Sequence, residues 1–125
     1  MAAPAAPVFA ITKTARFDAA HYLPDASRGE YRRLHGHSFE VSATVRGEAS
    51  EADGWVADLA ALDAGLQAVA RDLDHGLLNE HPGLELPTLE RLCLFVAERL
   101  RPDFPGLSEV AVSRPTIGER CVLAL

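Results

Sequence analysis

The run "HGHSFEVSATV", residues 35–45, constrains the fold of this chain most, because apolar and polar side chains alternate along it. Successive side chains of a strand point to opposite faces, so alternation over this length predicts a half-buried strand. The apolar positions that share one face are Phe39, Val41, Ala43 and Val45. The polar residues between them are expected to face the other way.

The segments around this strand predict the order ββααββ. Residues 8–21 predict a first strand, because β-branched and aromatic side chains recur from Val8 to Phe17, and a loop over residues 22–33 connects it to residues 35–45 as a hairpin. Residues 107–115 and 119–125 predict two last strands, joined by a turn through Thr116 and Gly118.

Two segments have apolar residues at helical spacing. Asp58 is the predicted N-cap of the first helix and Thr88 of the second. The buried stripe expected on the first helix consists of Leu59, Leu62, Leu66, Val69 and Leu73. Together these elements predict an α+β fold, a four-stranded antiparallel sheet with two helices on one face.

We expect residues 1–125 to form a single domain, with residues 1–7 as a flexible tail. The outer strands of such a sheet are open edges, which proteins cover or pair with another subunit, so a homo-oligomer is expected.

Charge and composition exclude several classes of function. The net charge of −6 argues against nucleic-acid binding, which needs a basic face, and no apolar run is long enough to span a membrane. The Ala- and Pro-rich N-terminus lacks the pattern of a signal peptide. Only Cys93 and Cys121 are present, too few for a disulfide framework, so a reduced, cytoplasmic protein is expected.

His35 and His37 lie two residues apart on one strand and therefore present two imidazoles on the same face. His21 ends the first predicted strand, and hairpin pairing returns it alongside them. Zinc binds neutral imidazoles, and three protein ligands leave one position open for catalysis. The alternative is that each histidine is an ordinary hydrogen-bonded surface residue.

Several short motifs occur together with these histidines, in order from about Thr14 to Arg114. They are "FDAAH", "LHGHSFEV", "GWVADLAAL", "LDHGLLNE" and "PGLELPTLE". With them the chain resembles the 6-pyruvoyl-tetrahydropterin synthase family, and most closely its 6-carboxy-tetrahydropterin synthase branch.

The resemblance implies a tunnelling fold, in which subunits join their sheets into an oligomeric barrel, a trimer or dimer of trimers. It implies Zn²⁺ held by His21, His35 and His37. It also implies a pterin substrate, 7,8-dihydroneopterin triphosphate, from which triphosphate leaves after proton transfers in the side chain. In the carboxy branch, which serves queuosine precursor synthesis, acetaldehyde is lost as well.

The resemblance further implies a Cys, an Asp and a His in proton transfer, gathered across a subunit boundary. Asp74 and His75 match the last two. Adjacent residues do not face each other on a helix, so this pair must sit where the helix unwinds, near Gly76. The alternative is that both are ordinary polar groups at the end of a helix.

Two positions depart from the family pattern. Tyr31 stands where the catalytic cysteine belongs, and a phenol, with an ordinary pKa near 10, is a weak base unless a cation such as zinc, Arg32 or Arg33 acts on it. Arg114 stands where the pterin-binding glutamate belongs. An arginine offers only donors and suits a carbonyl, carboxylate or phosphate, so Glu119 is the candidate to replace the glutamate.

Three functions remain open at this stage. The first is a zinc-dependent lyase acting on 7,8-dihydroneopterin triphosphate or a related pterin. The second is a divergent zinc-containing paralogue for a different heterocyclic or acidic substrate, and the third is a non-catalytic ligand-binding barrel. The basic residues Arg28, Arg32 and Arg33 are either a triphosphate clamp or a solvated loop.

Overall fold

The computed structural model describes residues 5–125, so residues 1–4 of the expected N-terminal tail lie outside the described residues. Residues 5–7 are exposed and have no regular secondary structure. The main elements are β1 (Phe9–His21), α1 (Gly29–Arg32), β2 (His35–Gly47), α2 (Leu59–Leu73), α3 (Leu89–Leu100), β3 (Leu107–Arg114) and β4 (Glu119–Ala124). Two single-turn 3₁₀ helices, Leu78–Glu80 and Pro115–Ile117, complete the secondary structure.

The four strands form one antiparallel sheet in the order β1-β2-β3-β4, which confirms the predicted sheet. β1 ends at His21, as predicted, and every residue of that end pairs with β2. In this register Phe17 lies opposite Phe39, and His21 lies opposite His35. The hairpin pairing therefore brings the first histidine to the other two.

The two long helices cover the sheet. α2 contacts β1 and β2, whereas α3 contacts β3 and β4. One register row on the covered face runs across all four strands and consists of Ala15, Val41, Val112 and Cys121. The largest buried side chains of the core are Phe39, Leu62, Leu66, Leu73, Leu78, Leu84, Leu92 and Leu100. This layer of apolar side chains supports the sheet end that carries the histidines.

Both predicted N-caps are confirmed. The Asp58 carboxylate accepts from the N–H of Ala60 at 2.9 Å, and the Thr88 hydroxyl accepts from the N–H of Arg91 at 3.2 Å. Leu59 was wrongly predicted to be part of the buried stripe, since 45% of it is exposed. It immediately follows the N-cap, where the helix has only begun to cross the sheet.

The connection over residues 22–33 is not entirely a loop, because Gly29–Arg32 forms one helical turn. Arg32 stabilises this segment by donating from Nη1 to the carbonyl oxygens of Ala26 at 2.8 Å and Ser27 at 3.0 Å. These contacts, five and six residues apart, are not visible as a helical pattern in the sequence. They place Tyr31 on a short helix directly before β2.

Within residues 5–125, no helix combines the length and apolar content needed to cross a membrane.

Leu92→Ala is expected to lower the free energy of unfolding by about 2–5 kcal/mol, because a fully buried leucine leaves a cavity in the core. Leu94→Ala is the matched control on the same helix, where 47% of the side chain is exposed and a change below about 0.5 kcal/mol is expected. Both are measured by denaturant unfolding at one protein concentration. Equal losses in the two variants would contradict this packing.

Candidate metal centre and active site

Three histidines meet at one end of the sheet. His21 lies opposite His35 in the β1–β2 pairing, and His37 follows two residues later on the same face of β2. One ring nitrogen from each histidine lies within 4.8 Å of the other two. His21 is fully buried, and the other two are half-buried. The structure therefore brings together all three residues predicted to hold a metal.

Backbone carbonyl groups orient two of these imidazoles. His21 Nδ1 lies 3.2 Å from the Pro87 carbonyl oxygen, and His35 Nδ1 lies 2.7 Å from that of Arg33. Because a carbonyl oxygen only accepts, each Nδ1 carries the hydrogen and each Nε2 keeps a free lone pair. Such bonds to the second ring nitrogen commonly orient metal-binding histidines.

The buried Nε2 atoms of His35 and His37 have no hydrogen-bond partner among the described residues. Unpartnered buried polar atoms are unusual in folded proteins, and a metal ion would satisfy both at once. Three converging imidazoles match the ligand set of a catalytic zinc site with an open position. The residues present therefore fit a divalent transition metal.

Burial also keeps two rings of the cluster, those of His21 and His37, in the neutral form that binds metal. Desolvation lowers the pKa of His21 to about 4, and desolvation followed by the nearby positive charge of Arg114 lowers the pKa of His37 to about 4. A protonated imidazole has no lone pair to offer a metal. Around neutral pH these two rings are thus ready to bind a cation.

Asp74 and His75 lie directly after α2, where the helix unwinds as predicted. His75 has a positive φ of 57°, a conformation that non-glycine residues rarely adopt. This backbone turn allows His75 Nδ1 to lie 2.8 Å from Asp74 Oδ2, although the residues are adjacent. The structure therefore forms the carboxylate–imidazole pair that a regular helix would forbid.

The pair titrates in the opposite sense to the buried histidines. A hydrogen bond from the Asp18 backbone N–H, at 2.8 Å, is the largest cause that lowers the pKa of Asp74. The hydrogen bond with Asp74 then raises the pKa of His75, with the carboxylate charge as the second cause. Asp74 thus stays ionised and favours the protonated form of His75.

Hydrogen bonds fasten the segment that carries this pair to the end of β1. The His75 N–H donates to the Asp18 carbonyl oxygen at 2.7 Å. Further along, the Asn79 side chain accepts from the Tyr22 N–H at 3.0 Å and donates to the Tyr22 carbonyl at 2.9 Å. The asparagine of the motif "LDHGLLNE" therefore has a structural role, since it holds this segment beside His21.

Asp18 is the residue that sequence reasoning missed. Its backbone contacts both Asp74 and His75, and its carboxylate accepts a 2.6 Å hydrogen bond from the Ser38 hydroxyl. It lies within the motif "FDAAH", but the sequence shows only that it faces away from His21 on the strand. Its contacts come from a segment distant in sequence, so no local pattern indicates them.

An open groove connects the two groups of residues. It has a volume of about 580 Å³, and its lining includes Asp18, His37, Ser38, His75 and Thr116. The groove is thus lined by one histidine of the metal cluster, His37, and by His75 of the carboxylate–imidazole pair.

A second cavity, of about 410 Å³, lies at the other end of β1 among mainly apolar residues that include Phe9, Trp55 and Leu59. Its one titratable residue, Asp58, already caps α2. The histidine end of the sheet is therefore the better candidate for a functional site.

Tyr31 lies beside the metal cluster, with its ring centroid 6.0 Å from that of His35. The cation nearest its ring is Arg28, whose guanidinium carbon lies 5.4 Å from the ring centroid. Arg32 donates to loop carbonyl groups instead, and Arg28 also forms an ion pair with Glu30. Arg28 and Arg32 therefore have partners within the connection itself.

Arg114 and Glu119 are directly opposite each other on β3 and β4. Arg114 Nε lies 2.8 Å from Glu119 Oε1, but its N–H is not directed at that oxygen, so the contact is an ion pair without an aligned hydrogen bond. Only 8% of Arg114 is exposed, and its Nη1 lies 3.5 Å from His21 Nε2. The structure thus places both residues next to the metal cluster.

Comparison with known proteins agrees with this arrangement. The family model described as 6-pyruvoyl tetrahydropterin synthase matches residues 10–124. The chain belongs to this family.

Two relatives show how similar in sequence this chain is to named enzymes. A dihydroneopterin monophosphate aldolase from Pyrococcus furiosus is 35% identical over 84% of this chain and 84% of its own length. A 6-carboxy-5,6,7,8-tetrahydropterin synthase from Synechocystis is 39% identical over 82% of this chain and 83% of its own length.

The fold of the family is also evident in a solved structure. The 6-pyruvoyl tetrahydropterin synthase of Caenorhabditis elegans superposes with a TM-score of 0.79, covers 96% of this chain and 97% of its own, and is 23% identical. The sheet and helices described above therefore have the subunit architecture of a tunnelling fold, as predicted.

Asp74→Asn is expected to lower the pKa of His75 toward the ordinary histidine value of about 6.5, because the carboxylate that favours the charged imidazole is lost. NMR titration of the histidine ring signals measures this change. Asp72→Asn, which removes a carboxylate beside His81, is the control and leaves the pKa of His75 unchanged. An unchanged titration of His75 in Asp74→Asn would refute the coupling.

Proposed function

We propose that this protein is a zinc-dependent lyase that cleaves the side chain of a phosphorylated dihydropterin, with 7,8-dihydroneopterin triphosphate as the first candidate substrate. The observation that carries the proposal is the convergence of three imidazoles, two of them with unpartnered buried Nε2 atoms, at the sheet end to which an Asp–His pair is bonded, in a member of a pterin-synthase family. Relatives named as pterin enzymes give no support to a non-catalytic barrel or an unrelated substrate.

Zinc fits the site because His21, His35 and His37 supply three neutral nitrogen ligands and no carboxylate. When bound, zinc polarises oxygen atoms of the substrate side chain and stabilises negative charge that develops on them. The protein contributes the orientation of the imidazoles, through the carbonyl groups of Pro87 and Arg33.

His75 is proposed to move protons to and from the substrate side chain. Its Nδ1–H donates to Asp74, which leaves Nε2 free to accept a proton or, when charged, to return one. Asp74 holds the ring in this tautomer and stabilises its charged form, because the carboxylate itself stays ionised. Asp18 positions Asp74 and His75 through its backbone.

Tyr31 is proposed to act in the position that the family resemblance gives to a cysteine. A phenolic hydroxyl donates a hydrogen bond readily, whereas a thiolate mainly accepts a proton. Tyr31 is therefore expected to stabilise or protonate an oxygen of the substrate side chain, beside His35. Proton abstraction then falls to His75.

Glu119 is proposed to accept hydrogen bonds from the N–H groups of the pterin, and Arg114 to position it. The two residues face each other across β3 and β4, and the guanidinium lies 2.8 Å from the carboxylate. A carboxylate provides acceptors on two oxygens, which suits neighbouring donors on a planar ring. The carboxylate function would thus have moved to the adjacent strand.

Homo-oligomerisation is part of the proposal. β1 and β4 are the outer strands of the sheet in residues 5–125, and strand edges of this kind pair readily with another subunit. A trimer or a dimer of trimers would close the sheets into a barrel and bring Asp74 and His75 of one subunit to the metal cluster of another.

Cleavage by an aldolase route is the second candidate function, and the 35% identity to a dihydroneopterin monophosphate aldolase favours it. In that reaction a base removes the proton of the side-chain hydroxyl on the second carbon, and the bond between the first and second carbons breaks. The electrons pass into the pterin and the first carbon is protonated. The products are 6-hydroxymethyl-7,8-dihydropterin and glycolaldehyde phosphate.

Purified protein is expected to bind about one zinc ion per chain, because the three histidines form one ligand set. His35→Ala removes a central ligand and is expected to abolish stoichiometric binding. His81→Ala is the matched control, since His81 bonds to Asp72 and lies outside the cluster. Elemental analysis after dialysis measures the content, and intact protein that takes up no zinc would exclude the site.

Mass spectrometry of products separates the two reactions. Zinc-loaded protein is incubated separately with dihydroneopterin triphosphate and with the monophosphate, and the products are identified by mass. Tyr31→Phe is expected to slow turnover by about 10²-fold or more if the hydroxyl takes part in proton transfer. Tyr22→Phe is the matched control and keeps its activity. No turnover of either substrate by zinc-loaded protein would reject the proposed function.

A further inference from the structure

Arg114 is a buried cation with too few partners. Only 8% of the residue is exposed, and a guanidinium carries five N–H donors in a fixed plane. Its Nε–H has no aligned acceptor among the described residues, and its Nη1 reaches His21 Nε2 only at 3.5 Å. Buried charges are strongly destabilising unless they are paired and hydrogen-bonded.

Glu119 only partly compensates the charge and the N–H donors of Arg114. Its Oε1 lies 2.8 Å from Arg114 Nε, but its side chain is 39% exposed and makes no aligned hydrogen bond with the guanidinium. One carboxylate neutralises one positive charge at most. No other carboxylate among residues 5–125 forms an ion pair with the guanidinium, and its Nη1 faces the uncharged ring of His21.

A metal ion at the histidines makes the imbalance larger. The three imidazoles are neutral ligands, so a divalent ion keeps its full formal charge in the cluster. The ion and Arg114 together carry three positive charges, against one negative charge from Glu119. The Nη1 atom that approaches a ligand nitrogen at 3.5 Å also lies close to the position of any ion bound there. An anionic ligand between them would relieve the repulsion.

We propose that Arg114 and the metal held by His21, His35 and His37 form a two-point site for a small oxyanion, a carboxylate or phosphate group that bridges guanidinium and metal. This inference rests on the metal site of the proposed function and adds the class of ligand that the site selects. Arginine suits this role because two parallel N–H donors fit the two oxygens of such a group.

The proposal has a thermodynamic consequence. If the oxyanion contacts both the metal and the guanidinium, then each ligand raises the affinity of the protein for the other by the same factor. Without an anion, the guanidinium weakens metal binding by repulsion. A neutral ligand of the same shape would neither offset the charge of the guanidinium nor raise the affinity for the metal.

Cobalt(II) provides the test, because its visible absorption reports directly on its ligands and requires no catalysis. The full-length Co²⁺-loaded protein is titrated separately with inorganic phosphate and with acetate at constant ionic strength. We expect saturable changes in the cobalt bands, with the tighter-binding anion showing which oxyanion is preferred. Co²⁺ affinity in turn is expected to rise when that anion is present.

Arg114→Gln is expected to weaken binding of the preferred anion at least tenfold, and to raise Co²⁺ affinity in the absence of the anion. Arg114→Lys keeps the charge but loses the paired donors. Its affinity for the anion is expected to lie between those of the native protein and Arg114→Gln. Arg120→Gln is the matched control, because it removes the same charge from an exposed neighbour on β4 and leaves both affinities unchanged.

The outcomes separate this proposal from the proposed function. Co²⁺ bands that ignore both anions, or that respond equally in the native protein and a folded, Co²⁺-loaded Arg114→Gln, would overturn the oxyanion site while leaving the metal site intact. Failure of the native protein to bind Co²⁺ at all would instead refute the metal site, and this proposal with it. Circular dichroism verifies that each variant is folded.

Discussion

The register of the β1–β2 hairpin is the constraint on which the site depends. His21 pairs with His35, and Ala19 pairs with His37, so all three imidazoles share the face that carries the core. A slip of one residue would turn one strand's side chains to the other face and separate the ligands. Phe39 connects the core to the site, because its ring packs edge-on against two histidine rings. Its centroid lies 5.8 Å from that of His21 and 5.7 Å from that of His37.

Opposite environments give the histidines their different chemistry. Burial lowers the pKa of His21 and His37 and keeps both rings neutral for a metal, whereas a neighbouring carboxylate raises the pKa of exposed His75. Environments that separate the pKa values of titratable groups commonly divide the roles in an active site. Here the division follows from position, because the metal cluster is covered by the fold and the Asp74–His75 pair is attached outside the edge of β1.

Tyr31 and Arg114, at the positions where the resemblance implies a cysteine and a glutamate, both lie beside the histidine cluster. Tyr31 places a neutral donor beside His35, and Arg114 places a permanent cation beside His21. Neither residue provides the carbonyl groups that orient the imidazoles, which belong to Pro87 and Arg33. A change in ligand preference or in the proton-transfer step is therefore compatible with an unchanged fold.

The sequence alone determined the strands, the two long helices with their N-caps, and the three histidines that meet at one sheet end. These features follow from local periodicity and from the strand parity of residues close in sequence. It also indicated that Asp74 and His75 require an unwound helix end.

The carbonyl partner of His21 and the approach of Arg114 to His21 were decided only by the tertiary structure. Pro87 lies 66 residues from His21, and Arg114 lies 93 residues from it. Packing of distant segments brings these groups together, and such packing leaves no periodic pattern in the sequence.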